Sequence, residues 1–255
     1  MTMSSVFVPD SHALTAALDA ADGPLLVLDP CGELWTQFWQ ASRWRCWQAW
    51  RLMPGQTPEG DNWDVLRELQ GVKAREGVAA LSGALFPGEG PASLTHRLMV
   101  CILTFAEDTR CCADLPTLAG RLWADDLWAV IARWSRQYRV HPALQAAQTL
   151  LTQWGAGEAA QAIRERMAVY HHPHVAETFL AGYGFRLETL RARPGQILFL
   201  TPGIRCLEDP ALMAVYAFIT GALRALSVLH YQPFTLFQPT LTHQGEGHED
   251  RKQGA

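Results

Sequence analysis

The chain has 255 residues, of which 49% are apolar and 18% charged, a composition typical of a globular protein with a sizeable core. Its 21 basic and 25 acidic residues give a formal net charge of −4, which excludes a wholly basic surface for nucleic acid and leaves room only for a local patch. The six cysteines contain no C-x-x-C pair, which favours reduced thiols over a disulfide framework or a zinc site.

The run PLLVLDPCGEL, residues 24–34, predicts a buried strand that turns directly into a helix. Its apolar residues do not alternate with polar ones, as in a parallel strand that is covered on both faces. Asp29 and Gly32 lie where the strand ends, and ligands gather at the carboxyl ends of such strands. We therefore expect Asp29 at a candidate site, with Glu33 as a second carboxylate beside it.

A tryptophan-rich segment follows, and its spacing predicts one helix over residues 34–51. Trp35, Phe38 and Trp39 share one face of this helix. If that face packs on the sheet, Trp39→Ala should cost on the order of 3 kcal/mol. The alternative is a surface that stacks bases or docks a partner. Its contact residues would be Arg43, Trp44, Arg45 and Arg51.

Residues 91–180 show helical periodicity and no strand signal, which predicts an inserted all-α domain. Ser93 and Asp114 are the predicted N-caps of two of its helices. Pro142 and Pro173 are expected to separate others.

The chain then returns to an α/β pattern. Gln196–Leu200 is a second short apolar run and predicts a second buried strand. Residues 211–229 form a long apolar segment, and Arg224 near its middle favours a helix packed on the sheet over a membrane span of about 20 residues. Residues 241–255 are rich in polar residues and are predicted to be disordered.

Other chemically capable side chains give weaker signals. The clustered His171, His172 and His174 are interpreted as a solvated turn between helices rather than a metal site. The adjacent Cys111 and Cys112 are interpreted as buried helix thiols rather than a redox pair. No G-x-x-x-x-G-K-[ST] motif is present, so we expect no tight ATP binding, no cofactor and no metal.

The order of these motifs resembles the nucleotide-binding domain of type IV secretion coupling proteins, the TraG/TraD-like ATPases that feed DNA to a conjugation channel. Residues 29–34 match a D-P-K-G-E-L-like motif of that family, with Cys31 at the usual lysine position. A loose counterpart of its W-N-P-L-like motif and a strand followed by an I-P-P-like motif come later in the chain. The positions identified in this way are Asp29, Gly32, Glu33, Trp63 and Pro202.

The resemblance implies a truncated RecA-like parallel sheet with an inserted all-α domain, in a chain that is predominantly helical overall. We expect the α/β core at residues 1–90 and 181–240, the insert at 91–180 and a disordered tail at 241–255. Counterparts of the Walker A and Walker B motifs are missing, which implies an inactive relative of an ATPase. Residues 6–8 and 234–237 are the spare β-prone runs that would fill the incomplete sheet.

The function implied is that of a non-catalytic, cytoplasmic accessory factor of a conjugative mobile element, reaching the inner-membrane face only through partners. Those partners would be components of the transfer or relaxosome apparatus, DNA, or a second copy of the chain. One alternative is a helical nucleic-acid-binding or regulatory protein that uses the Trp/Arg-rich segment. Another is an enzyme with a site near Asp29 and Glu33.

Overall fold

The computed structural model describes residues 11–20, 23–40, 47–55, 60–70, 73–182, 184–192, 195–202, 208–229 and 235–237. The protein is a mostly helical α/β protein with a small parallel sheet. The strands are β1 (Leu25–Leu28), β2 (Gln48–Leu52), β3 (Gln196–Leu200) and β4 (Thr235–Phe237). The helices are α1 (Ser11–Ala20), α2 (Glu33–Gln40), α3 (Ala74–Leu85), α4 (Leu94–Thr109), α5 (Leu115–Ala124), α6 (Leu127–Gln137), α7 (Pro142–Leu151), α8 (Ala156–His171), α9 (Pro173–Ala176), α10 (Leu187–Ala192) and α11 (Pro210–Leu229).

The four strands are all parallel and lie in the order β2-β3-β1-β4. Leu25 of β1 lies opposite Ile197 of β3, and Gln48 of β2 lies opposite Gln196. The two strands predicted from the sequence, β1 and β3, are therefore confirmed and form the middle of the sheet. Every residue of β3 is buried, as expected for a central parallel strand.

Different helices cover the two faces of the sheet. Leu25 and Val27 point to one face, where they share a small core with Leu34 and Phe38 of α2. The alternate residue Leu26 points to the other face and belongs to the main core, which includes α11. Helix α2 connects β1 to β2 across one face, and α11 precedes β4 across the other. The connections leaving β1 and β3 thus run to opposite sides of the sheet, as in doubly wound folds.

Helices α4–α9 lie between β2 and β3 in the chain, and α4 packs on α7 and α8 while α5 packs on α8. The predicted N-caps are confirmed, because Ser93 Oγ accepts the N–H of His96 at 3.2 Å and Asp114 Oδ1 accepts that of Thr117 at 2.8 Å. Pro142 begins α7, as predicted. One continuous hydrophobic cluster joins these helices to α3, α11 and the sheet. The division into domains at residues 90 and 180 stays a prediction.

The prediction of a single helix over residues 34–51 is wrong. Helix α2 ends at Gln40, and Gln48–Leu52 is the strand β2, which pairs with β3. Aromatic residues are also favourable in strands. Pairing with the distant strand β3 therefore outweighs the helical spacing of the apolar residues in this segment. Trp39 is also not turned inward, since it is 56% exposed while its neighbour Phe38 is buried.

One of the two β-prone runs that were predicted to complete the sheet forms an edge strand. Residues 235–237 of the β-prone run at 234–237 form β4 and pair with β1. The other run, residues 6–8, and the predicted tail at 241–255 lie outside the described residues. Helix α11 confirms the predicted long apolar helix. Among the described helices it alone has the length and composition to cross a membrane, and 44% of the residues in its apolar window are buried inside the protein.

Candidate functional site at the carboxyl edge of the sheet

The carboxyl ends of β1, β2 and β3 bring five residues together. Because the connections leaving β1 and β3 run to opposite faces, these strand ends border the crevice in which doubly wound sheets bind ligands. We call this group the strand-end cluster. It consists of Asp29, Gly32, Trp35, Arg51 and Thr201.

Asp29 is fully buried at the end of β1. Its backbone N–H donates to Leu200 O at 3.0 Å and extends the ladder between β1 and β3. Its carboxylate accepts the N–H groups of Leu34 at 3.3 Å and Trp35 at 2.9 Å, which are free donors in the first turn of α2. Burial raises the pKa of Asp29 above its ordinary value, against the opposing effect of these hydrogen bonds and of the Arg51 charge.

Arg51 reaches over the same strand ends from β2. Its Nε donates to Thr201 Oγ1 at 3.3 Å, and its guanidinium carbon lies 5.3 Å from the centroid of the Trp35 ring. The sequence placed Arg51 on the surface of a helix as a contact residue. The structure instead places it in a strand, half-buried against an aromatic ring. The other three predicted contact residues, Arg43, Trp44 and Arg45, lie outside the described part of the chain.

Gly32 makes this arrangement sterically possible. Its φ is +75°, a left-handed conformation that favours glycine. A Cβ atom at this position would lie 2.5 Å from the Nη2 atom of Arg51. The glycine therefore permits both the turn after β1 and the approach of the guanidinium.

Glu33 does not form a carboxylate pair with Asp29. It is exposed at the first position of α2, where a negative charge is favourable to the helix dipole, whereas Asp29 is buried and bound to backbone N–H groups. The two carboxylates that the sequence placed at a candidate enzyme site thus differ in burial and in hydrogen bonding.

Trp63, one of the positions identified by the resemblance, is fully buried. Its backbone N–H donates to Thr178 O at 2.7 Å, and it forms a parallel bridge with Phe185. Its indole Nε1 donates to Glu68 Oε1 at 3.3 Å. Through these contacts the segment before α3 packs against the segment around Thr178 and Phe185, which leads from the helices back to β3.

Pro202 lies directly after β3, on the other side of the strand ends from Trp35. It lines a mostly apolar groove of about 240 Å³ together with Leu28, Met213 and Tyr216. The hydroxyl of Tyr216 donates to Thr201 O at 2.9 Å and lies 3.2 Å from Pro54 O. Thr201 therefore links Arg51 on one side of the sheet to α11 on the other.

Sequence reasoning missed the tertiary contacts of two buried carboxylates, Glu68 and Asp114. Glu68 Oε1 accepts the backbone N–H of Leu187 at 2.9 Å in addition to the indole N–H, and burial raises the pKa of Glu68. Asp114 Oδ2 accepts the N–H of Ala181 at 3.1 Å in addition to capping α5. A carboxylate next to apolar positions is too common a pattern to identify Glu68, and the capping pattern of Asp114 does not reveal its contact with Ala181.

The structure also shows where the clustered histidines and the adjacent cysteines lie. His171, His172 and His174 are all exposed, as predicted, but only His172 lies between the helices, since His171 ends α8 and His174 belongs to α9. No group of three or more histidine, cysteine, aspartate or glutamate residues in the described ranges is placed to hold a metal ion. Cys111 and Cys112 lie in the connection between α4 and α5, so their predicted helical location is wrong.

The helical segment also exposes large aromatic side chains, which we call the insert tryptophans: Trp123, Trp128 and Trp154. The guanidinium carbon of Arg164 lies 5.0 Å from the Trp123 ring centroid, and Arg164 Nη2 donates to Trp123 O at 3.3 Å. Trp154 is fully exposed at the turn between α7 and α8. Exposed indoles are enriched at protein interfaces relative to the rest of the surface.

The strand-end cluster can hold the start of α2 and fix a guanidinium at the crevice, and its carboxylate is occupied by backbone donors. No protein-family model matches this sequence, and no curated protein matches it either. A function must therefore be argued from the arrangement of the chain and from the surfaces that it exposes.

Proposed function

We propose that this protein is a non-catalytic, coupling-protein-like accessory factor of a conjugative DNA-transfer (type IV secretion) system. The observation that carries the proposal is the place of the helical segment in the chain. Helices α4–α9 are inserted between β2 and β3, and β3 returns beside the strand that the chain left. This is the order of strand, helical insert and strand that the resemblance to TraG/TraD-like proteins implies, and we propose that the sheet is a truncated RecA-like core.

The state of Asp29 supports a non-catalytic role. A carboxylate that serves a nucleotide-bound metal ion must face the ligand, whereas both oxygens of Asp29 accept N–H groups of α2. We expect the purified protein not to hydrolyse ATP. Hydrolysis above the background of a heat-denatured sample would contradict this part of the proposal.

The insert tryptophans support action through protein contacts. Burial of an exposed indole on binding removes a large apolar area from water, and such residues often dominate the affinity of an interface. The proposed partner is a protein component of the relaxosome or of the transfer apparatus. The nucleic-acid alternative receives no support from Arg51, which is engaged with Trp35 and Thr201.

The proposal is tested by affinity purification of the full chain from its native host, with identification of the proteins recovered. The wild type is compared with a variant in which Trp123, Trp128 and Trp154 are all replaced by alanine. Trp39→Ala is the matched control, because Trp39 is an exposed tryptophan outside the helical segment. We expect a relaxase or a secretion ATPase with the wild type and the control, and its loss with the triple variant.

Two outcomes would contradict the proposal. Recovery of no transfer component by the wild type would remove the pathway assignment. Equal recovery by the triple variant would show that the insert tryptophans are not the contact surface. Melting curves of the three proteins ensure that they are compared in the folded state.

A further inference from the structure

The connection between α4 and α5 holds two thiols in contact. Cys111 Sγ and Cys112 Sγ are 3.8 Å apart, although adjacent side chains of an extended chain point in opposite directions. The turn begins at Arg110, whose φ of 48° is left-handed, and the N–H of Cys111 donates to Thr109 Oγ1 at 3.4 Å. The backbone of this turn thus holds the two sulfur atoms together.

The two thiols differ in acidity. The hydrogen bond from Cys112, together with Thr109 and the Arg121 charge, lowers the pKa of Cys111 below the usual range. The same contact and burial raise the pKa of Cys112. The contact between the two sulfur atoms thus favours the thiolate form at Cys111 and the thiol form at Cys112. This is the arrangement of an attacking cysteine and a resolving cysteine.

Exposure alone would give a different order of reactivity. Cys31 is exposed as a residue. Partial burial of its sulfur and the nearby charges of Glu33 and Asp29 nevertheless raise its pKa. Cys101 is half-buried, and burial raises its pKa as well. Among the thiols that the structure describes, only Cys111 has a pKa shifted in the direction that favours the nucleophilic form.

Cys112 borders a small cleft, and Cys111 beside it is half-buried. Cys112 lines a cavity of about 170 Å³, together with Asp64, Arg67, Glu107 and Arg110. A water molecule occupies roughly 30 Å³ in the liquid, so the cleft admits a reagent of a few heavy atoms. Hydrogen peroxide and small organic hydroperoxides have this size.

We propose that Cys111 and Cys112 form a modification site that reacts with small hydroperoxides and closes to a vicinal disulfide. The Cys111 thiolate attacks one peroxide oxygen; an S–O bond forms, the O–O bond breaks, and the second oxygen leaves as water or an alcohol after taking a proton from solvent. The Cys112 sulfur then attacks the Cys111 sulfenic sulfur. The S–S bond forms, the S–O bond breaks, and hydroxide leaves as water with the Cys112 proton. The two thiols lose two electrons, which the peroxide receives.

The first test uses the unmodified full chain and needs no substitution. The protein is treated with limiting iodoacetamide over a range of pH values, and the alkylation of each cysteine is followed by mass spectrometry of its peptides. We expect Cys111 to react several-fold faster than Cys31 near neutral pH, because the thiolate is the nucleophile. Reaction of Cys31 at an equal or higher rate would overturn the proposal.

The second test uses hydrogen peroxide and identifies the intermediate. In the wild type we expect the peptide that contains both cysteines to lose the mass of two hydrogen atoms. In Cys112→Ser the serine hydroxyl keeps a hydrogen-bond donor beside Cys111, so the reaction should stop at the sulfenic acid and be trapped by dimedone. Cys111→Ser should resist both reactions, and Cys101→Ser is the matched control that should behave as the wild type.

Two results would overturn the proposal here. One is the absence of a dimedone adduct in Cys112→Ser together with the absence of the mass loss in the wild type. The other is a disulfide that joins either cysteine to a different partner. The mass loss is measured on the wild-type protein, so it tests the proposal even if a variant folds poorly.

Discussion

The carboxylate of Asp29 accepts the backbone N–H of Trp35 at 2.9 Å and so ties the end of β1 to the first turn of α2. Helices leave their first N–H groups without internal partners, and a buried helix start needs an acceptor from elsewhere. Asp29 supplies this acceptor from outside the helix and for two N–H groups at once. A strand-end aspartate that resembles a functional motif thus has a complete structural role.

This role predicts that Asp29→Ala destabilises the protein by about 1–2 kcal/mol, as expected for the loss of a helix cap. Asp29→Asn keeps one acceptor oxygen and should lie between the alanine variant and the wild type. Urea unfolding followed by circular dichroism measures both. The control is Asp126→Ala, which removes an exposed cap of α6 whose N–H partner can turn to water. An equal loss for Asp29 and Asp126 would show that burial adds nothing to the cap.

Gly32→Ala should destabilise the protein by about 1–2 kcal/mol from backbone strain alone, because φ is +75°. The new Cβ would also displace the Arg51 side chain from its place beside Trp35. Gly155→Ala is the matched control, since φ is +82° there and no atom lies within 4 Å of an added Cβ. Thermal melting should therefore show a larger loss at position 32. Equal losses would mean that the guanidinium moves without cost.

Of the adjacent residues Phe38 and Trp39, the smaller one should contribute more to stability, because Phe38 is buried and Trp39 is not. Phe38 is buried against Phe199, so Phe38→Ala should cost about 3–5 kcal/mol. Trp39 is largely exposed, and Trp39→Ala should change the stability by less than about 1 kcal/mol. Chemical denaturation of the two variants measures the difference. A larger effect at Trp39 would restore the inward-facing helix that the sequence predicts.

Glu68 should make stability depend on pH. Burial raises its pKa in the folded state above the unfolded value of about 4.3. The contribution of the protonated group is fully present below the unfolded pKa and is lost as the pH rises through the folded pKa. Glu68→Gln removes this ionisation and keeps an oxygen for Trp63 and Leu187. The variant should therefore gain stability relative to the wild type as the pH rises from about 4 to 8.

The pH effect is measured by urea midpoints across that range. Glu76→Gln serves as the control, because Glu76 lies exposed in the first turn of α3. A Glu68→Gln variant whose disadvantage grows with pH would mean that the charged carboxylate is the stabilising form.

Local signals explain what the sequence predicted well. The uninterrupted apolar runs of β1 and β3 and the N-caps Ser93 and Asp114 are recognisable within a few residues of chain. The same holds for α11, whose apolar length exceeds that of any other described helix.

Tertiary partners explain what the sequence could not predict. β2 is a strand because β3 lies beside it, and the side chains of Gln48 and Gln196, which meet there, are 148 positions apart. Arg51 and Thr201 meet only after that pairing, so their contact has no local pattern. Glu68 likewise accepts from Leu187 across the returning chain. The local members of the candidate site, Asp29 and Gly32, are recognisable in the sequence, whereas the contact of Arg51 with Thr201 depends on the assembled sheet.

The parallel register of β3 also fixes the order in which the protein can fold during synthesis. β1 and β2 are not neighbours, and each described pairing of theirs is with a strand near the end of the chain. At 5–20 residues per second, the 148 positions between Gln48 and Gln196 delay their pairing by roughly 7 to 30 s. The helices from α4 to α8 make contacts closer in sequence and are expected to form within that interval. The nascent chain therefore carries the apolar segment Leu25–Leu28 without a described strand partner until β3 has been synthesised.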